Sequence, residues 1–115
     1  MSYLKIQTNQ SISKKSGLKI LGSASDLIAV ELGKPKDLVM VALQSETEMF
    51  FGGSDAPTAF LEIKSVGVPK RKMKQLCHAL TDLIHAHFPN IPENRVYLKI
   101  IDVRNGMWGW KGGSA

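Results

Sequence analysis

The sequence predicts a two-layer α/β domain. A duplicated β-α-β unit would place four strands in one mixed sheet, with two helices on one face. Three observations predict this. The chain opens on Met1-Ser2-Tyr3-Leu4-Lys5-Ile6-Gln7-Thr8, where Leu4 and Ile6 alternate with Lys5 and Gln7 as in a strand. Two longer stretches carry apolar residues at helical spacing. The sequence also echoes itself 57 positions on. Tyr3-Leu4-Lys5-Ile6 matches Phe60-Leu61-Glu62-Ile63, and Pro35-Lys36-Asp37-Leu38-Val39-Met40-Val41 matches Pro92-Glu93-Asn94-Arg95-Val96-Tyr97-Leu98. Two matches at one offset point to an internal duplication, with pseudo-repeats 1–57 and 58–115 inside a single domain.

The elements follow in order. After the first strand, residues 9–17 are polar, and Ser11 and Ser13 are candidate helix caps. Leu18, Leu21, Ala24, Leu27, Ile28 and Leu32 then predict a helix over about 15–32. Gly33 suits its end, and Pro35 prevents continuation. Residues 38–44 read as a strand whose apolar run predicts burial on both faces. Residues 45–57 form a turn-rich loop, 58–66 the third strand, and Gly67 closes it. Pro69 stands near the start of a second helix carrying Met73, Leu76, Cys77, Leu80, Leu83, Ile84 and Phe88 on one stripe, ended by Pro89. Residues 95–101 are the fourth strand. The Gly-rich remainder, with Trp108 and Trp110, has room for one short strand.

Both crossovers are long enough for parallel pairing and should be right-handed, so both helices cover one sheet face. The apolar runs at 38–43 and 96–101 require cover on the other face. No segment is left to supply it, so the sequence predicts a homo-oligomer packed sheet against sheet.

Composition bounds the rest. The chain has 115 residues, 43% hydrophobic and 22% charged, as in ordinary globular proteins. A chain of this size buries roughly 65% of its unfolded surface. A net charge of +5 suits an anionic ligand but is weak ground for a nucleic-acid partner. The basic run Lys70-Arg71-Lys72-Met73-Lys74 lacks interleaved aromatics and reads as a solvated helix face. A single cysteine excludes an intrachain disulfide. Lys5, Gln7 and Asn9 interrupt any apolar signal core, and no apolar run approaches the ~18 residues of a membrane span. A cytoplasmic protein is therefore expected, with no membrane partner. The sequon Asn9-Gln10-Ser11 is read as chance.

Neither metal nor cofactor is called for. His78, His85 and His87 near Cys77 lack ligand spacing on one helix face. Gly52-Gly53-Ser54 lacks the spacing of a phosphate loop. Cys77 on the apolar stripe reads as packing, and no nucleophile elbow or carboxylate pair is visible.

Six segments standing in order go further: Thr8-Asn9, Gly33-Lys34-Pro35, Phe51-Gly52-Gly53-Ser54, Ser65-Val66-Gly67, Asn94-Arg95-Val96-Tyr97 and Trp108-Gly109-Trp110. Together they resemble the macrophage migration inhibitory factor family of the tautomerase superfamily. The resemblance implies a homotrimer of β-α-β-β-α-β subunits with a site at each subunit interface. It implies keto–enol tautomerisation of an aryl α-keto acid such as phenylpyruvate, with an N-terminal proline as base. Ser2 occupies that catalytic position. By the same resemblance Lys34 would hold the substrate carboxylate, Ser65 and Val66 would line the pocket, and Tyr97 would enter from the neighbouring subunit. Lys99 stands where mammalian members have asparagine, and Trp108 where they have a smaller apolar residue. Thr58 and Leu61 replace the cysteine pair linked to oxidoreductase activity. The tail Lys111-Gly112-Gly113-Ser114-Ala115 is altered too. Unconventional secretion stays open by resemblance.

Neither the amide nor the hydroxyl of Ser2 is a base at neutral pH. After loss of Met1, Ser2 would present a primary amine of reference pKa about 8, a weak base or a Schiff-base former. Two functions follow: an impaired tautomerase whose pocket still binds small carboxylates, or a non-catalytic, cytokine-like protein-interaction trimer.

Overall fold

A computed structural model describes residues 1–114; Ala115, the end of the altered tail, lies outside the described residues. The first strand, β1 (Ser2–Thr8), is followed by helix α1 (Lys14–Leu32) and strand β2 (Val39–Gln44). The order then repeats as β3 (Ala59–Val66), α2 (Met73–His87) and β4 (Val96–Val103). The four strands form one sheet in the order β2-β1-β3-β4. β1 runs parallel to β2 and antiparallel to β3, and β3 runs parallel to β4.

The register is the same in both halves. Ser2 stands opposite Val39 and Ala59 opposite Val96, each pair 37 positions apart. In the central antiparallel pair Lys5 faces Glu62, its own counterpart at the 57-residue offset.

Strand alternation builds the core. Leu4, Ile6, Leu61 and Ile63 are fully buried under Ile20, Ala24 and Ile28 of α1 and Leu76, Leu80 and Ile84 of α2. Ser13 caps α1 by accepting the Ser16 N–H at 3.1 Å. Gly33 ends it at φ 63°, where a glycine costs least. Leu18 falls off the buried stripe and is 60% exposed. The true stripe runs Gly17, Ile20, Ala24, Ile28 and Leu32, close to the 3.6-residue repeat. Met73 is likewise exposed, because α2 is entered through a 3-10 turn at Lys70–Lys72.

The second face of the sheet is more mixed than the apolar runs implied. Val39, Val41 and Leu43 of β2 pack toward the helices, as do Val96, Leu98 and Ile100 of β4. The other face bears Tyr3, Met40, Phe60, Tyr97 and Ile101, with Lys5, Glu62, Lys64 and Lys99 among them. Met40 and Tyr97 are 66% and 64% exposed on this face. Alternation splits each apolar run between two faces, so burial on both sides is not met within one chain.

The Gly-rich end forms a hairpin of two short strands rather than one, β5 (Gly109–Trp110) and β6 (Gly113–Ser114). Lys111 and Gly112 take φ 53° and 76° at its turn.

Candidate active site

The site is built at one end of the two central strands. Ser2, the first residue of β1, is paired with Val39 on one side and Ser65 on the other, so it is 1% exposed. Its hydroxyl and that of Ser65 are 2.7 Å apart. The Met1 carbonyl accepts the Val66 N–H at 3.2 Å and the Ser65 hydroxyl, also at 3.2 Å. Thus Met1 extends the β1–β3 pairing by one step past Ser2.

Lys34 arrives from α1. Gly33 in the left-handed region turns the chain, and the Lys34 N–H bonds the Ala29 carbonyl at 3.0 Å. The side chain then crosses to β3, where Nζ donates to the Val66 carbonyl at 2.7 Å. The Met1 α-amine titrates below its ordinary value of 8.0, first because burial disfavours its charge and second because Lys34 repels it.

Beside these groups lies a cavity of about 200 Å³, lined by Met1, Ser2, Val39, Met40, Trp108 and Trp110 among others. Trp108, half-buried, reaches it from the chain preceding β5, and Trp110 joins it from the hairpin. A cavity of about 510 Å³ opens elsewhere, near Thr47, Glu48, Phe50 and Asp55. It is the larger space, but its two carboxylates are exposed and no cation lines it. The Met1–Ser2 cavity is also lined by a carboxylate, Asp37, but it adjoins an amine of shifted pKa and the bonds that join Met1 to Ser65 and Val66, and it is the better candidate.

Ser2, Lys34, Ser65 and Val66 are thus brought together, with Trp108 at the cavity wall. Tyr97 and Lys99 are not. Tyr97 pairs with Phe60, five strand residues from Ser65, or roughly 16 Å along β3. Lys99 pairs with Glu62, three residues from Ser65. Both lie on the face opposite to Ser2, so one chain does not carry the whole predicted set. Tyr97 instead packs on Phe51, ring centroids 4.7 Å apart, beside a cavity of about 310 Å³. Sequence reasoning missed the Met1 carbonyl, the Phe51 contact and Trp110 as a wall. Phe51 and Trp110 stand in two of the six matching segments, but neither their spacing nor their periodicity marks these contacts.

Among the described residues no three His, Cys, Asp or Glu side chains are grouped to hold a metal. His78 is exposed and 3.3 Å from Asp82 one turn on. Thr58 and Leu61 are both buried. Thr58 bonds the Arg95 carbonyl at 2.6 Å, and Leu61 belongs to the core. No helix among the described residues is long and apolar enough to cross a membrane.

Two β-α-β units on one mixed sheet, with a small cleft at the start of the first strand, define a two-layer α/β protein. Comparison with known proteins gives the family. The family model described as macrophage migration inhibitory factor matches residues 1–115. A macrophage migration inhibitory factor homolog of Trichuris trichiura is 35% identical over 105 residues, covering 87% of this chain and 88% of the relative. One from Brugia malayi is 30% identical over 112 residues, covering 97% and 96%. The crystal structure of a macrophage migration inhibitory factor homologue from Prochlorococcus marinus superposes with a TM-score of 0.89 at 29% identity, covering 97% of both chains. The chain belongs to the macrophage migration inhibitory factor family of the tautomerase superfamily.

Proposed function

We propose that the protein is a keto–enol tautomerase homologue whose Ser2 site binds small aryl α-keto acids, with catalysis weak in the form that keeps Met1. The observation that carries the reading is the network joining Met1, Ser2, Ser65, Val66 and Lys34. Lys34 supplies a cation for a carboxylate. The Val66 N–H and Ser65 hydroxyl are donors, both turned to the Met1 carbonyl. Loss of Met1 would free these donors and set the Ser2 amine among them. That amine would take a proton from the carbon next to the ketone and return it to the ketone oxygen, as the family's terminal proline does.

Tyr97 and Lys99 would complete the site from a neighbouring copy. Their distance from Ser2 within one chain supports this. A homotrimer would also cover Tyr3, Met40, Phe60 and Tyr97 on the open sheet face. The chain is read as one domain, 1–115, arisen by duplication.

One observation favours a non-catalytic, cytokine-like interaction trimer. The Ser2 hydroxyl is buried and already bonded, and Met1 occupies the donors beside it. Calorimetry with phenylpyruvate, on protein whose N-terminus is fixed by mass, separates the two. Saturable binding lost in Lys34→Ala supports the tautomerase site. No binding in either N-terminal form removes it. Sedimentation showing a monomer at micromolar concentration would remove the trimer.

A further inference from the structure

The side chain of Arg95 makes an unusual number of backbone contacts. Nε donates to the Pro57 carbonyl at 3.0 Å and Nη1 to Phe51 at 3.0 Å. Nη2 donates to Ser54 at 3.1 Å and Ala56 at 3.0 Å. Four carbonyls of the loop before β3 are therefore held by one guanidinium, whose planar fork suits several acceptors at once. The same guanidinium lies 5.1 Å from the centre of the Phe51 ring. Phe51 in turn packs on Tyr97 at 4.7 Å, with the rings tilted by 59°. Tyr97 is 64% exposed. Among the aromatic rings of the described residues, Phe51 is the one packed on it.

We infer that Arg95 is the positioning residue for Tyr97, acting through Phe51, and so sets the preference of the site for an aryl group. The inference rests on the reading that Tyr97 serves a neighbouring copy's site. With the Phe51 carbonyl and ring both fixed by Arg95, the phenol ring of Tyr97 is presented in one orientation before any ligand arrives. A lysine keeps the charge but offers a single nitrogen, which does not span four carbonyls. The aryl end of a ligand feels this loss. The carboxylate end, held by Lys34, does not.

The test uses the whole protein and the variants Arg95→Lys, Phe51→Leu and the double variant. Proton NMR follows the ring-to-ring contacts of Phe51 and Tyr97, and calorimetry follows phenylpyruvate and pyruvate binding. The expected result for Arg95→Lys is loss of the ring contacts and about 2- to 10-fold weaker phenylpyruvate binding with pyruvate unchanged. The double variant should bind no more weakly than Phe51→Leu, since both act on one relay. Phe51→Leu leaves all four carbonyl bonds in place and carries the test if Arg95→Lys does not fold. Intact ring contacts in Arg95→Lys, equal weakening of both ligands, or a Phe51→Leu protein that binds phenylpyruvate as the parent does would overturn the inference. If the parent protein binds neither acid, the ligand reading fails while the ring contacts still decide the role of Arg95.

Discussion

The hydroxyls of Ser2 and Ser65 face each other at 2.7 Å across the two central strands, in a place that water does not reach. A buried hydroxyl left without its partner loses roughly 1–3 kcal/mol. Ser65→Ala should therefore destabilise the protein by about that amount in urea unfolding. The Met1 carbonyl keeps the Val66 N–H, so its loss is only partial. Removing both hydroxyls in Ser2→Ala/Ser65→Ala should cost less than the sum of the single changes. A strictly additive result would show that the two hydroxyls are not coupled.

The Met1 amine gives a pH dependence with a definite sign. Its pKa is lowered in the folded protein, so the unfolded chain binds more protons between that value and 8.0. Stability contributed by this group should rise with pH through that window and level off above it. In Lys34→Met the amine should titrate closer to 8.0 without reaching it, because burial is the larger cause and remains. NMR titration of the isotopically labelled amine reads the midpoint directly. An unchanged midpoint in Lys34→Met would remove the lysine from the cause.

Activity should respond to the identity of residue 2. With Met1 removed, Ser2→Pro places a secondary amine at the site, and general base catalysis typically contributes about 10²–10⁴-fold. A gain in kcat/KM for phenylpyruvate within that range is expected, with recovery kept partial by the Trp108 and Trp110 walls. The gain should vanish if Met1 is retained, since residue 2 is then an amide. Equal activity in the native and processed proline forms would show that the base lies elsewhere.

Gly33 links stability to the site. At φ 63° an alanine would cost roughly 1–2 kcal/mol. The next residue is Lys34, so strain there should also shift its Nζ from the Val66 carbonyl. Gly33→Ala is expected to lower the thermal midpoint and weaken carboxylate binding together. A lowered midpoint with unchanged binding would mean that Lys34 holds its place without the turn.

Most of the frame was legible because it is periodic. Alternation in Leu4 and Ile6, helical spacing in Leu76, Leu80 and Ile84, and the stop at Gly33 each leave a local mark. Leu18 was misjudged because an exposed leucine one position from Gly17 looks no different in a one-dimensional pattern. The open sheet face was overestimated because alternation sends Lys5, Lys64 and Lys99 to the same side as Met40 and Tyr97. The candidate site residues come from family resemblance and not from chemistry of their own. What stayed hidden was contact between distant backbone and side chain: Arg95 on the 51–57 carbonyls, and Met1 on Ser65.

The bond from Val66 N–H to the Met1 carbonyl also governs how the protein should be handled. Residues fused ahead of Met1 would continue beside Gly67, where β3 has already turned away at φ 76°, and would spill over the Met1–Trp108 cleft. An amino-terminal purification tag is therefore expected to compete for the proposed site. Phenylpyruvate binding measured on such a fusion should be weaker than on the same protein after proteolytic release of the tag, and material carrying its tag at the other end is the safer reagent for assay.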